Sequence, residues 1–218
     1  MRLIHVILFF LLLFNTPSYS QGIQKTLLSA VNKDSLRNIY GINKEFITEY
    51  ELQSLVALSF YPELINTRIT FKLADKESVA KTTISFSSVF NSGDKHFFIY
   101  INNNKSSTGL LLNDASFQAQ VGAIGHELAH AADFDKKNLV GMVSWGIKYL
   151  FKRARMNIER KTDISTIQHG LGMELYYFVD FVLNHSTANS QYKKFKRLNY
   201  LTPAEIVELT KSSDQHFP

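Results

Sequence analysis

The chain has 218 residues, a formal net charge of +5 and no cysteine, which excludes disulfide staples, thiolate metal sites, thiol catalysis and a lipid-modified cysteine together. With 45% hydrophobic and 20% charged residues it is long enough for one ordinary domain with a substantial core, or for one domain plus a small extension. Any tight metal site must then be built from histidines and carboxylates, the donors of catalytic rather than closed structural zinc.

Arg2 is followed by an apolar run over residues 3–14 and by a short segment with Pro17 and the small residues Ser18 and Ser20. A signal peptidase reads that order, so a signal peptide over residues 1–20 and a single domain over 21–218 are expected. The competing reading is a retained membrane anchor, for which the run is short. The best later apolar segment, residues 139–147, is interrupted by Gly141, Ser144 and Gly146. A soluble mature protein, secreted or periplasmic, is the expectation.

Residues 33–61 read as one helical layer, with apolar positions at Leu36, Ile39, Phe46, Leu52, Leu55, Val56 and Phe60. Residues 66–73 and 79–90 are rich in β-branched and aromatic side chains, and 95–102 is strongly strand-like. Asn91, Ser92, Gly93 and Asp94 separate the last two and predict a hairpin, hence a small, mainly antiparallel sheet. Helical spacing returns over 114–133 through Phe117, Val121, Ile124, Leu128 and Ala132. A second helical region runs from about 139 towards 183 with a break. Thr202, Pro203, Ala204 and Glu205 announce a last helix, with capping-box spacing and proline at its first position.

Basic residues collect over 148–155 and 193–197. Such clusters most often form solvated helix faces; weak association with an anionic membrane surface is the alternative, and nucleic-acid binding is not expected.

His126, Glu127, Leu128, Ala129 and His130 form an HExxH pattern. A helix turns by about 400° in four residues, so both imidazoles share one face, while Glu127 projects about 100° away, where it can hold a water molecule. Gly122 and Gly125 precede the motif, and glycines inside a helix cost about 1 kcal/mol each, which predicts that another backbone or a ligand comes close. A histidine pair and an acid on so apolar a helix need something to bind.

Catalytic zinc usually takes a third protein donor. The extended motif with a third histidine fails, because Asp133 and Lys136 occupy the positions it needs. Asp133 and Asp135 lie too close along the same helix to complete a tetrahedron easily. Glu159, followed four residues later by Asp163, offers a carboxylate pair on a separate helix: one can bind metal while the other accepts an imidazole proton. The plainer alternative is a solvated helix, since Arg160 and Lys161 lie between the two acids.

HELAH followed by a helix bearing ExxxD resembles the gluzincin metallopeptidases, including their compact soluble members. The resemblance spans roughly residues 97–183. It implies His126, His130 and Glu159 as zinc ligands, Glu127 as general base, and Asp163 as a partner of His126. The implied fold is α+β and zincin-like, a small sheet packed with an active-site helix and a second metal-binding helix. The implied activity is zinc-dependent hydrolysis of peptide bonds in peptide or protein substrates. By the same resemblance the strand over 96–102 would be the sheet edge that pairs with an extended substrate. His169, Tyr176, Tyr177 and Tyr200 are unranked candidates for stabilising the oxyanion. The rival reading is a non-catalytic zincin-like module that binds metal and interacts with cell-envelope partners.

Overall fold

The computed structural model describes residues 33–85, 88, 95–106 and 108–214; the expected signal peptide and the turn over 91–94 lie outside the described residues. The architecture is α+β, with a four-stranded sheet and a set of helices packed on one of its faces.

The helical layer expected over 33–61 is divided. Helix α1 (Lys33–Tyr40) ends at Gly41, Asn43 takes a left-handed φ of 58°, and a two-residue strand, β1 (Lys44–Glu45), precedes α2 (Glu51–Leu58). Asparagine tolerates that conformation, so the chain can turn out of the helix and join the sheet. The Lys44 ammonium fixes the corner by donating to the carbonyls of Ile42, Ile65 and Thr67 at 2.8, 3.2 and 2.7 Å.

Strands β2 (Arg68–Ala74), β3 (Ala80–Ile84) and β4 (His96–Asn102) complete the sheet, whose order is β1-β2-β4-β3. The β3–β4 pair is antiparallel, with Thr82 opposite Ile99, as the hairpin reading requires. β1–β2 and β2–β4 are parallel, so the sheet is mixed rather than mainly antiparallel. β4 is also a central strand, not an edge; the edge beside it is β3. β4 is central because β2 bonds to its other side, which sets Phe97 and Ile99 level with Ile69 and Phe71; together with Ile101 these buried side chains form one apolar face of the sheet.

Helix α3 (Phe117–Asp135) lies on that apolar face. Ser116 caps it, its Oγ accepting the Ala119 N–H at 3.3 Å. Most of its residues are buried, including Ala119, Ile124 and Leu128 in the centre of the core, which marks a helix enclosed on nearly all sides. Its neighbours are α2, β3, α5 (Lys152–Thr166) and α6 (Gly172–Asp180). Gly122 permits the α6 contact: a Cβ there would lie 2.1 Å from the Glu174 carbonyl oxygen, so the glycine before the motif serves a backbone, not a ligand. The Tyr61 hydroxyl donates to the Gly125 carbonyl at 2.7 Å, and the Thr82 hydroxyl donates to that of Glu127 at 2.8 Å.

Helix α4 (Leu139–Leu150) leads through a bend at Phe151 into α5. Helices α7 (Ser190–Asn199) and α8 (Pro203–Asp214) close the described chain, α8 beginning at the expected capping box, with Glu205 N–H donating to Thr202 Oγ1 at 3.3 Å. No helix among the described residues is long and apolar enough to cross a membrane.

Candidate metal centre

Helix α3 presents His126 and His130 one turn apart, 5% and 8% exposed, with their ring centroids 4.9 Å apart. Helix α5 crosses them and contributes Glu159, 1% exposed. Glu159 Oε2 lies 3.2 Å from His126 Nε2 and 3.3 Å from His130 Nε2. Ligand atoms about 2.1 Å from a tetrahedral ion stand about 3.4 Å from one another, so these separations suit a shared cation. One donor atom from each of the three residues lies within 4.8 Å of the others, and the buried group could hold a metal ion.

The remaining ring nitrogens are used up on α5. His126 Nδ1 donates to Asp163 Oδ1 at 2.8 Å. Thr162 gives its hydroxyl proton to the Ile158 carbonyl at 3.0 Å, which leaves its Oγ1 to accept from His130 Nδ1 at 3.3 Å. Both rings are therefore oriented with Nε2 towards Glu159, the arrangement that prepares imidazoles for a cation. Glu159, Thr162 and Asp163 fall at i, i+3 and i+4, one face of one helix.

Two carboxylates set the charge of this pocket. Burial works to discharge Glu159, but the neighbouring His130 and the hydrogen bonds from both imidazoles hold its carboxyl well below the usual range. Burial would lower His126, yet the Asp163 and Glu159 carboxylates outweigh it and raise the imidazole. A field that favours an added proton there also favours a divalent cation.

Glu127 is 8% exposed and borders a small opening together with His126, Ala123, Ser78, Ala80, Phe178, Tyr192, Lys196 and Tyr200. Among the described residues its carboxylate receives no hydrogen bond and no ion pair within 4 Å, although the next residue back is a candidate ligand. An acid so enclosed and so little engaged is free to act on whatever enters.

Of the four oxyanion candidates, only Tyr200 borders the opening; its ring lies 5.5 Å from that of His126. Burial, and next the Glu159 charge, keep its hydroxyl protonated well above the ordinary tyrosine range. His169 is engaged elsewhere, stacked at 4.3 Å on Tyr61 and 3.0 Å from Glu63 Oε1. Tyr176 and Tyr177 pack against each other outside the opening.

Three residues at the site escaped the sequence reading. Thr162 could have been found from its place between Glu159 and Asp163. Tyr149 of α4 donates to Glu159 Oε1 at 2.6 Å while stacking at 4.7 Å on Trp145, and only the tertiary fold brings it there. Lys196 belongs to the basic cluster read as a solvated face, which holds for exposed Lys194 and Arg197. Lys196 instead is 8% exposed, its ammonium 3.6 Å from the Tyr200 ring centroid and within 6 Å of those of Phe178 and Tyr192.

Fold and site thus define an α+β protein with a buried two-histidine, one-glutamate centre able to hold a cation. No family model, curated protein or solved structure matches the chain. The functional reading therefore rests on the side chains themselves.

Proposed function

We propose that the chain is a zinc-dependent peptidase of the gluzincin type, with a zincin-like fold, acting outside the cytoplasm on peptide or protein substrates. His126, His130 and Glu159 would hold the ion, the two-histidine, one-glutamate set that leaves a coordination position open. The observation that carries the reading is that donor set, one member of which, His126, borders the same opening as an unengaged Glu127.

When bound, zinc lowers the pKa of water from about 15.7 to about 7 and polarises a carbonyl. Glu127 accepts the proton of the attacking water and delivers it to the leaving nitrogen. Asp163 and Thr162 keep both imidazoles in the tautomer that exposes Nε2. Tyr200, held protonated, donates to the carbonyl oxygen as charge builds on it. Ala80, the first residue of the edge strand β3, and Ser78 just before it line the same opening, so an extended substrate has a strand to pair with there.

The test is metal content together with cleavage of a peptide library, for the wild type and for Glu127→Gln. Zinc in both proteins with hydrolysis only in the wild type supports the peptidase. Zinc in both with hydrolysis in neither favours the non-catalytic metal-binding module.

A further inference from the structure

Helix α4 is apolar on the side that faces away from the protein as well as on the side that packs. Leu139, Val140, Val143, Ile147 and Leu150 are 41%, 74%, 52%, 54% and 81% exposed, and Phe151, at the bend into α5, is 64% exposed. At about 100° per residue the five helical positions fall within an arc of about 100°, one continuous outer stripe. The opposite side is already committed. Met142 is buried, Trp145 stacks edge-on at 4.6 Å to Phe134, and Tyr149 reaches Glu159. Scattered exposed aliphatics need no explanation, but a contiguous row ending in a protruding leucine and phenylalanine marks a contact surface.

The charge beside the stripe has one sign. Lys148, Lys152 and Arg153 are exposed at its C-terminal end, and no acidic residue lies between Asp135 and Glu159. The stripe is a convex helix and a corner, not a groove, so it offers a partner no shape to fill. An apolar ridge flanked by cations on a convex surface fits the interface of an anionic bilayer, where the ridge enters the acyl boundary and the cations meet headgroups.

We propose that the outer face of α4 and the α4–α5 bend dock the protein on an anionic lipid surface. Because the inner face of the same helix touches Glu159, docking places the metal centre about one helix diameter, ~10 Å, from that surface. The proposal does not depend on the peptidase reading, since lipid contact needs neither metal nor Glu127.

The chain has no cysteine, so Leu150→Cys in the full chain can carry a single environment-sensitive fluorophore on the stripe, with Glu208→Cys on exposed α8 as the control position. Vesicles of phosphatidylglycerol should shift the Leu150→Cys emission to the blue, phosphatidylcholine vesicles should not, and the Glu208→Cys label should stay unchanged. Reversing Lys148, Lys152 and Arg153 to glutamate should abolish the shift, each lost positive charge alone weakening vesicle affinity about fivefold. An unshifted Leu150→Cys label on anionic vesicles, or an equal shift on neutral ones, overturns the proposal. A blue-shifted label without vesicles also overturns it: growth of that signal with protein concentration means a second copy covers the face, and independence of concentration means another segment of this chain does.

Discussion

Asp163 holds His126 and the α7–α8 loop at once: its Oδ1 accepts the His126 Nδ1 proton at 2.8 Å and its Oδ2 accepts the Leu201 N–H at 2.8 Å. The carboxylate is fully buried, so both bonds are made away from water. Replacing it by alanine leaves an imidazole N–H and a backbone N–H without acceptors. Asp163→Ala should cost about 2–5 kcal/mol of stability and weaken metal affinity about 10–100-fold. Chemical denaturation and zinc titration against a competing chelator measure the two effects; unchanged affinity would count against the orienting role.

Metal removal gives a second prediction. A ligand that binds only the folded chain stabilises it by about 4 kcal/mol at a thousand times its dissociation constant. Zinc should therefore raise the thermal midpoint of the wild type, and a chelator should reverse it. Glu159→Gln keeps the size of the side chain and an oxygen for the Tyr149 hydroxyl, but removes the charge that both imidazoles face. The variant should fold and show little or no zinc-dependent shift. A full shift in Glu159→Gln would exclude this carboxylate as a ligand.

Glu205 supplies an acid-sensitive contribution. Arg160 Nη2 lies 2.5 Å from Glu205 Oε1, and the Thr202 N–H and hydroxyl donate to Oε2 at 2.7 and 2.8 Å. The guanidinium first, against a smaller effect of burial, and the Thr202 bonds with it, bring the carboxyl from 4.5 to about 2. A depressed folded-state value means that the stabilisation is complete above about pH 4.5 and is lost as pH falls towards about 2. Both partners are more than a third exposed, so the contribution stays below about 1 kcal/mol. Glu205→Gln should melt slightly below the wild type at pH 7, and the gap should narrow steadily from about pH 4.5 down to about pH 2. A gap that persists in acid would assign the effect to packing instead.

What the sequence made legible was local. HExxH and the Glu159/Asp163 pair are separations of four residues, fixed by helical geometry wherever the helices go, and the Thr202 capping box is equally self-contained. The sheet order was not legible, because strand pattern records which residues are apolar but not which strand lies beside which; β4 became central only through its pairing with β2. The same limit hid the break at Gly41, where pairing of Lys44 and Glu45 with β2 overrode helical spacing. It also hid Tyr149, whose partner Glu159 lies ten residues away on the next helix, and the contact of Lys196 with Phe178 of α6, although its other two rings, Tyr192 and Tyr200, lie only four residues to either side.

Lys196 is the residue for which that distinction matters most. Its ammonium donates no hydrogen bond among the described residues and is held by three aromatic rings at the border of the opening that Glu127 and His126 share. A cation fixed in so enclosed a site is already oriented for negative charge that develops on a substrate, and nothing there has to reorganise to use it. Lys196→Met keeps the aliphatic stem against Tyr200 while removing the charge. It should leave zinc content and the fold unchanged and lower kcat/KM on cleaved peptides about 10–100-fold, with most of the loss in kcat. Lys196→Arg should recover part of the rate. A loss confined to KM would make the residue a substrate-binding cation instead, and a matching loss of zinc would place its role in the metal centre's structure.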